Sequence, residues 1–166
     1  MALTIENGTI VPLADSFATV AELVTYAANY GFTIPAATAD REALLRRAAV
    51  QMQALGWKGT RADTAQTLSW PRYGVLVDSE YLSKTLIPAR IQYGQMALAC
   101  EIYVDDTTPP ETAKGPIISE KVDVLEIKYG EVRNVTGKLL PAAPDRQSRA
   151  QFADYLLNRG LYAVRG

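Results

Sequence analysis

Leu44, Leu45, Ala48, Met52 and Leu55 recur every three or four positions, and Arg41, Arg46, Arg47, Gln51 and Gln53 fill the places between them. That spacing gathers the apolar residues on one face of a helix. Asp40 and Glu42 sit in its first turn, where the helix dipole favours negative charge, and Gly56 ends it. Three further stretches repeat the pattern. Thr19 and Glu22 form a Thr-x-x-Glu capping box ahead of Val20, Leu23, Val24 and Ala27, and Gly31 is a stop, so a helix is expected over 20–30. Pro88 suits a first helical position, and Ile91, Leu98, Ala99 and Ile102 carry a third helix to about residue 104. Asp145 caps a fourth over 146–158, with Phe152, Tyr155 and Leu156 on one side and Gly160 closing it. The expected fold is therefore mainly α: a bundle of about four helices with a small β-hairpin and a C-terminal helical arm.

Between these helices the periodicity fails in informative places. Residues 57–77 hold both tryptophans and many turn residues, a length that in a loop points to function or to packing on itself. Leu3 to Leu13 has extended character. Asp105-Asp106-Thr107-Thr108-Pro109-Pro110 breaks the third helix. Ile117 to Tyr129 reads as a strand whose phase changes: Val122 and Val124 share one face, Leu125, Ile127 and Tyr129 the other. A bulge near Val124 reconciles them, as does a strand passing from one environment to another. Val132 to Leu140 is its candidate returning partner. The expected organisation is a body over 1–140, with its hairpin near 117–140, and an arm over 141–166 behind the stiff Pro141–Pro144 spacer.

Composition narrows the chemistry. Among 166 residues there is no histidine, which removes histidine general bases, Ser-His-Asp triads and histidine metal ligands. Cys100, the one cysteine, cannot form an internal disulfide and is expected to be a small buried hydrophobe. No apolar run approaches the roughly 20 residues that cross a bilayer, and Met1 to Ile10 carry no Lys or Arg, unlike a signal peptide. A cytoplasmic protein without membrane partners is expected. Glu101, Asp105 and Asp106 lack the spaced ligand series of a cation site, and a solvated acidic helix end is the plainer reading. Ser69 has no nucleophile elbow, and a Ser–Lys pairing with Lys58 or Lys84 is its one route to activation. Gly56, Gly59 and Gly74 do not follow a strand in phosphate-loop spacing. No catalytic residue, metal or cofactor is expected, and the chain is not expected to be an enzyme.

Charge is uneven although the net is −1. Residues 41–72 hold six basic and two acidic residues, 101–131 three and eight, and 133–166 six and two. Opposed patches of this kind suit contacts between identical subunits, with Glu120 and Asp123 facing Arg46 and Arg47 as candidate interface residues. An ordinary solvated surface is the alternative. Arg41, Arg46, Arg47, Arg61 and Arg72 with Trp57, Trp70 and Tyr73 match the basic-plus-aromatic composition of single-strand binders. Against that, large aromatics usually occupy cores, and Trp57 and Trp70 are expected to anchor the long loop on helix two.

The pair of motifs Trp57-Lys58-Gly59-x-Arg61 and Gln66-x-Leu68-x-Trp70-Pro71-Arg72 carries a family resemblance. A Pro-initiated, Ala-rich helix and Ser119-Glu120-Lys121-Val122 leading to Tyr129-Gly130 extend it over nearly the whole chain. The chain resembles the head–tail adaptor (head-completion connector) proteins of tailed bacteriophages, some of whose relatives carry the label "putative DnaT-like single-stranded-DNA-binding protein". The resemblance implies a structural subunit of a ring, generally of twelve copies, in the neck of a virion assembled in the host cytoplasm. Its implied partners are other copies of itself, the portal protein, and the next neck or tail-completion protein, while double-stranded DNA passes through without tight binding. It also implies a portal-contacting arm, here Arg146, Arg149, Phe152, Tyr155, Leu156 and Arg159. The label supplies the alternative, a single-stranded-DNA-binding replication accessory.

Overall fold

The computed structural model describes residues 2–108, 117–119, 128–129 and 146–157. Four helices follow in order: α1 (Val20–Tyr30), α2 (Thr38–Gln53), α3 (Ala89–Thr107) and α4 (Gln147–Phe152), the last running into a 3-10 turn at Ala153–Tyr155. The mainly α expectation holds. Thr19 caps α1 through the reciprocal bonds of the capping box, and Gly31 closes it with a left-handed φ of 72°. Helix α2 starts and stops two residues earlier than its sequence signals, with Ala54 rather than Gly56 at its end.

Helix α3 is the hub, packed by α1, α2 and α4. Ile91, Gly94, Ala97, Leu98, Ala99, Cys100 and Ile102 are all buried, so small residues on several faces let three neighbours approach at once. Gln95 is fully buried at this crossing. Its Nε2 donates to Leu45 O (2.9 Å) and Ser16 Oγ (3.0 Å), and its Oε1 accepts from Phe17 N (2.8 Å). One amide thus joins the N-terminal segment, α2 and α3 with every hydrogen bond satisfied.

Three antiparallel two-stranded ladders complete the described chain: β1 (Thr60–Arg61) with β2 (Arg72–Tyr73), β3 (Leu76–Val77) with β4 (Glu80–Tyr81), and β5 (Ile117–Ser119) with β6 (Lys128–Tyr129). Several expectations need correction. The stretch 57–77 is not one irregular loop, because its turns close the first two ladders, the second through Asp78 and Ser79 with positive φ. Ile117 to Tyr129 is not one strand. Ile117 pairs with Tyr129, so both arms of the hairpin lie inside that run, with an irregularity between Ile117 and Ser119; Val124, where a bulge was expected, lies outside the described residues. The proposed return strand Val132–Leu140 lies outside the described residues. The segment 3–13 is folded back rather than extended: the buried Glu6 carboxylate accepts from the backbone of Gly8, Ile10 and Val11 at 2.8–3.0 Å.

The C-terminal helix differs most. Its N-cap is Arg146, without a side-chain bond, and it is a turn and a half long instead of three turns. The apolar face expected to meet a portal is buried in the chain's own core, with Phe152 2% and Tyr155 7% exposed. Phe152 lies so close over Gly94 that a Cβ there would come within 2.0 Å of the ring. Glu101 accepts from Ser148 N (2.9 Å) and Oγ (2.6 Å), capping α4 from α3. Lys58 N donates to Tyr155 O and Leu157 N to Gly56 O, both at 2.8 Å. A helix this short needs such a surface, and the nearest one is its own domain.

Candidate nucleic-acid interface

The motif residues assemble one packed unit. Trp57 and Trp70 are buried, their rings edge to face at 5.9 Å; Trp57 meets Phe152 at 5.1 Å and Trp70 meets Tyr155 at 5.6 Å. Trp57 Nε1 donates to Met52 O (2.8 Å), which fixes the loop to the end of α2. Gln66 binds the loop from inside, donating to Leu68 O (2.8 Å) and Pro71 O (3.1 Å) and accepting from Asp63 N. Leu68 is buried, and the Trp70–Pro71 peptide is cis. Arg72 stitches the two motifs, donating to Lys58 O (2.7 Å), Gly59 O (2.7 Å) and Ser69 O (3.1 Å). At Gly59, where φ is 67°, a Cβ would lie 2.3 Å from Tyr73 O, so only glycine fits. The tryptophans are packing anchors, docked on the C-terminal element as well as on α2, and neither offers a stacking face.

Most of the arginines expected to grip a strand or a neighbour are engaged within the chain. Arg41 donates to Pro35 O (2.6 Å). Arg46 pairs with Asp15 (2.7 Å) and Glu42 (3.5 Å), Arg47 binds Asp106 through two bonds, and Arg146 does the same with Asp105. Hydrogen bonding to Asp15 and Asp106 pushes Arg46 and Arg47 above their ordinary range, and Arg47 holds the Asp106 carboxyl below its own. Arg47 and Arg146 thus pair with the acidic end of α3 within one chain, whereas the partners of Arg46 lie outside the acidic 101–131 stretch. Glu120, Asp123 and Arg159 lie outside the described residues. Arg149 borders a notch of about 150 Å³ that Leu55, Leu98 and Leu156 also line. Lys58 Nζ donates to Asp154 O (2.7 Å) and the buried Ser69 Oγ has no hydrogen-bond partner, so the two do not pair. Cys100 is buried as expected, and burial pushes its thiol up to about 12.

Two surfaces remain open. On the first, Arg61 and Arg72 stand directly opposite each other across the β1–β2 ladder, with Lys58 beside them. No carboxylate pairs with any of the three among the described residues. Burial, and then the charge of Arg61, pull Arg72 below the ordinary arginine range. Tyr73 and Tyr81, on the adjoining ladders, are 66% and 75% exposed. The second surface is a groove of about 470 Å³ between α1 and α3, walled by Tyr26, Tyr30 and Tyr93. Sequence reasoning pointed to Tyr73 but missed Tyr81, Tyr30 and Tyr93. For Tyr93 the signal available was an aromatic off the apolar stripe of its helix, which periodicity alone treats as surface.

A search of solved structures and one of curated proteins each returned no match. Among protein families, residues 1–165 match the one described as "Putative DnaT-like ssDNA binding protein". With the match running over the whole described fold, the chain belongs to that DnaT-like family.

Proposed function

We propose that this chain binds single-stranded DNA through the surface formed by the β1–β2 and β3–β4 ladders, and that it acts by binding, not by catalysis. The observation that carries the reading is the exposed Arg61 guanidinium, without a described partner, directly opposite Arg72. The three nitrogens of Arg72 are held by the Lys58, Gly59 and Ser69 carbonyls, so that Arg72 adds charge while Arg61 is the side chain open to a ligand. Like charges directly opposite in a ladder are destabilising, and here no described carboxylate relieves them. A phosphate would. The exposed rings of Tyr73, next along β2 and so on the other face of the ladder from Arg72, and of Tyr81 on β4 add sequence-tolerant stacking surfaces. Family membership supports the same ligand class. The test is anisotropy of a labelled oligo(dT) titrated over a range of salt. Affinity should fall with a log–log slope of about −0.7 for each phosphate contacted, and Arg61→Ala should make that slope shallower by about one contact. Absence of binding at low salt would sink the proposal.

A second reading is favoured by a different observation: Arg46, Arg47, Arg90 and Arg146 each pair with a carboxylate of the same chain. A protein that neutralises its arginines internally suits a conduit that must not hold DNA tightly. In that reading the chain is a connector subunit in a phage neck, assembling with copies of itself and docking portal and tail-side proteins. Sedimentation of the purified chain separates the two. A ring-sized species indifferent to oligo(dT) supports the connector, and a small species that binds it supports the first reading.

A further inference from the structure

We infer that the groove between α1 and α3 is a nucleobase site, taking an unpaired base of the same strand whose phosphates meet Arg61. The inference rests on the single-strand reading above and adds a place for the base. Three features of the groove point to this ligand. Its wall is a stack of aromatic rings, with Tyr26 lying 4.3 Å from Tyr30 and 6.1 Å from Tyr93. Tyr30 and Tyr93 keep 49% and 44% of their surface exposed, so each offers π surface to a guest. The amide side chains of Asn29 and Gln92 line the same groove, and neither has a hydrogen-bond partner among the described residues. Side-chain amides carry both donors and acceptors, which is what the edge of a base requires.

The one formal charge in the lining is Glu22, whose Oε2 accepts from the backbone and hydroxyl of Thr19 at 2.7 and 2.8 Å and whose negative charge disfavours a phosphate. A phosphate gains nothing there, whereas a neutral, flat, edge-bonding ring fits the groove. A chain of contacts leads from the groove to Lys58. Arg90 lies one helical turn before Tyr93, pairs with Asp154, and Asp154 O accepts from Lys58 Nζ. A strand laid along that line sets a base on the tyrosines and its neighbouring phosphates toward the arginines.

The experiment compares two labelled oligonucleotides of about twelve nucleotides, oligo(dT) and the same backbone made abasic, against the full chain. The wild-type protein should bind oligo(dT) at least about fivefold more tightly than the abasic strand. The Asn29→Ala/Gln92→Ala double variant, altered only at accessible amides, and Tyr30→Ala should lose most of that preference with unchanged salt slopes. Arg61→Ala should do the reverse. As an independent readout, a 5-iodouracil oligonucleotide should photocrosslink to Tyr30 or Tyr93. If oligo(dT) binds with an Arg61-dependent slope but the variants match wild type and crosslinks map only to Tyr73 or Tyr81, the groove is not a base site and the single-strand reading stands. If wild type binds neither strand at low salt, both fall.

Discussion

Trp70 has no exposed surface and touches both Trp57 and Tyr155 edge to face, so removing its ring empties the join between the long loop and the C-terminal element. Trp70→Ala should cost about 3–5 kcal/mol, read as a fall in the denaturant midpoint at unchanged slope. Cys100 gives a pH prediction. Burial raises its thiol to about 12 in the folded chain, while in the unfolded chain it ionises near 8.5. The unfolded state therefore holds fewer protons above about pH 8.5, and stability should decline from there toward 12. Cys100→Ser or Cys100→Ala should flatten that decline, and a thiol reagent should react with the native protein only as fast as it opens. The packing role of the tryptophans was legible because both are large aromatics set among turn residues. The openness of Tyr30, Tyr81 and Tyr93 was not, since exposure is decided by which neighbours arrive from elsewhere in the chain.

Helix α4 is held by its surroundings, not by its own propensity. Gly94→Ala places a methyl against the Phe152 ring and should destabilise by about 1–3 kcal/mol, with the smaller Phe152→Leu partly restoring the double variant. Truncating the chain before residue 146 should lower the melting temperature sharply, because Phe152 and Tyr155 leave the core with it. A truncated chain that melts as the full one does would mean the element is a detachable arm after all. The helical elements were readable where local chemistry settles them: the Thr19–Glu22 box and Gly31 bound α1 to the residue. The start of α4 falls within a residue of its expected place, but its cap, Glu101, comes from another helix and its end falls at Phe152 rather than 158, neither of which local sequence encodes. The short ladders of 57–81 escaped notice because two-residue strands leave no alternation to detect.

Across the whole molecule, exposed ion pairs tie α2 and α4 to the end of α3 through Asp106 and Asp105. Such pairs contribute little in water, so 1 M salt should barely move the melting temperature while it abolishes any phosphate-driven binding. Arg47 holds Asp106 below the ordinary carboxylate range, so its pairing is intact above the unfolded value near pH 4 and is lost only as pH falls through the lowered one. The melting temperature should accordingly be insensitive to Arg47→Ala below that range and slightly sensitive to it at neutral pH. Charge segregation was plain in the sequence, but which copy of the chain answers it is a question of distance, and distance is tertiary. The Asp105–Arg146 contact has one more consequence. The end of α3 and the start of α4 lie within a side chain's reach of each other although 41 positions separate Asp105 from Arg146. Closure entropy grows only with the logarithm of length, about 0.6 kcal/mol per doubling. The chain is thus a natural host for a passenger: a folded domain spliced between Thr108 and Arg146 should leave the four-helix core standing.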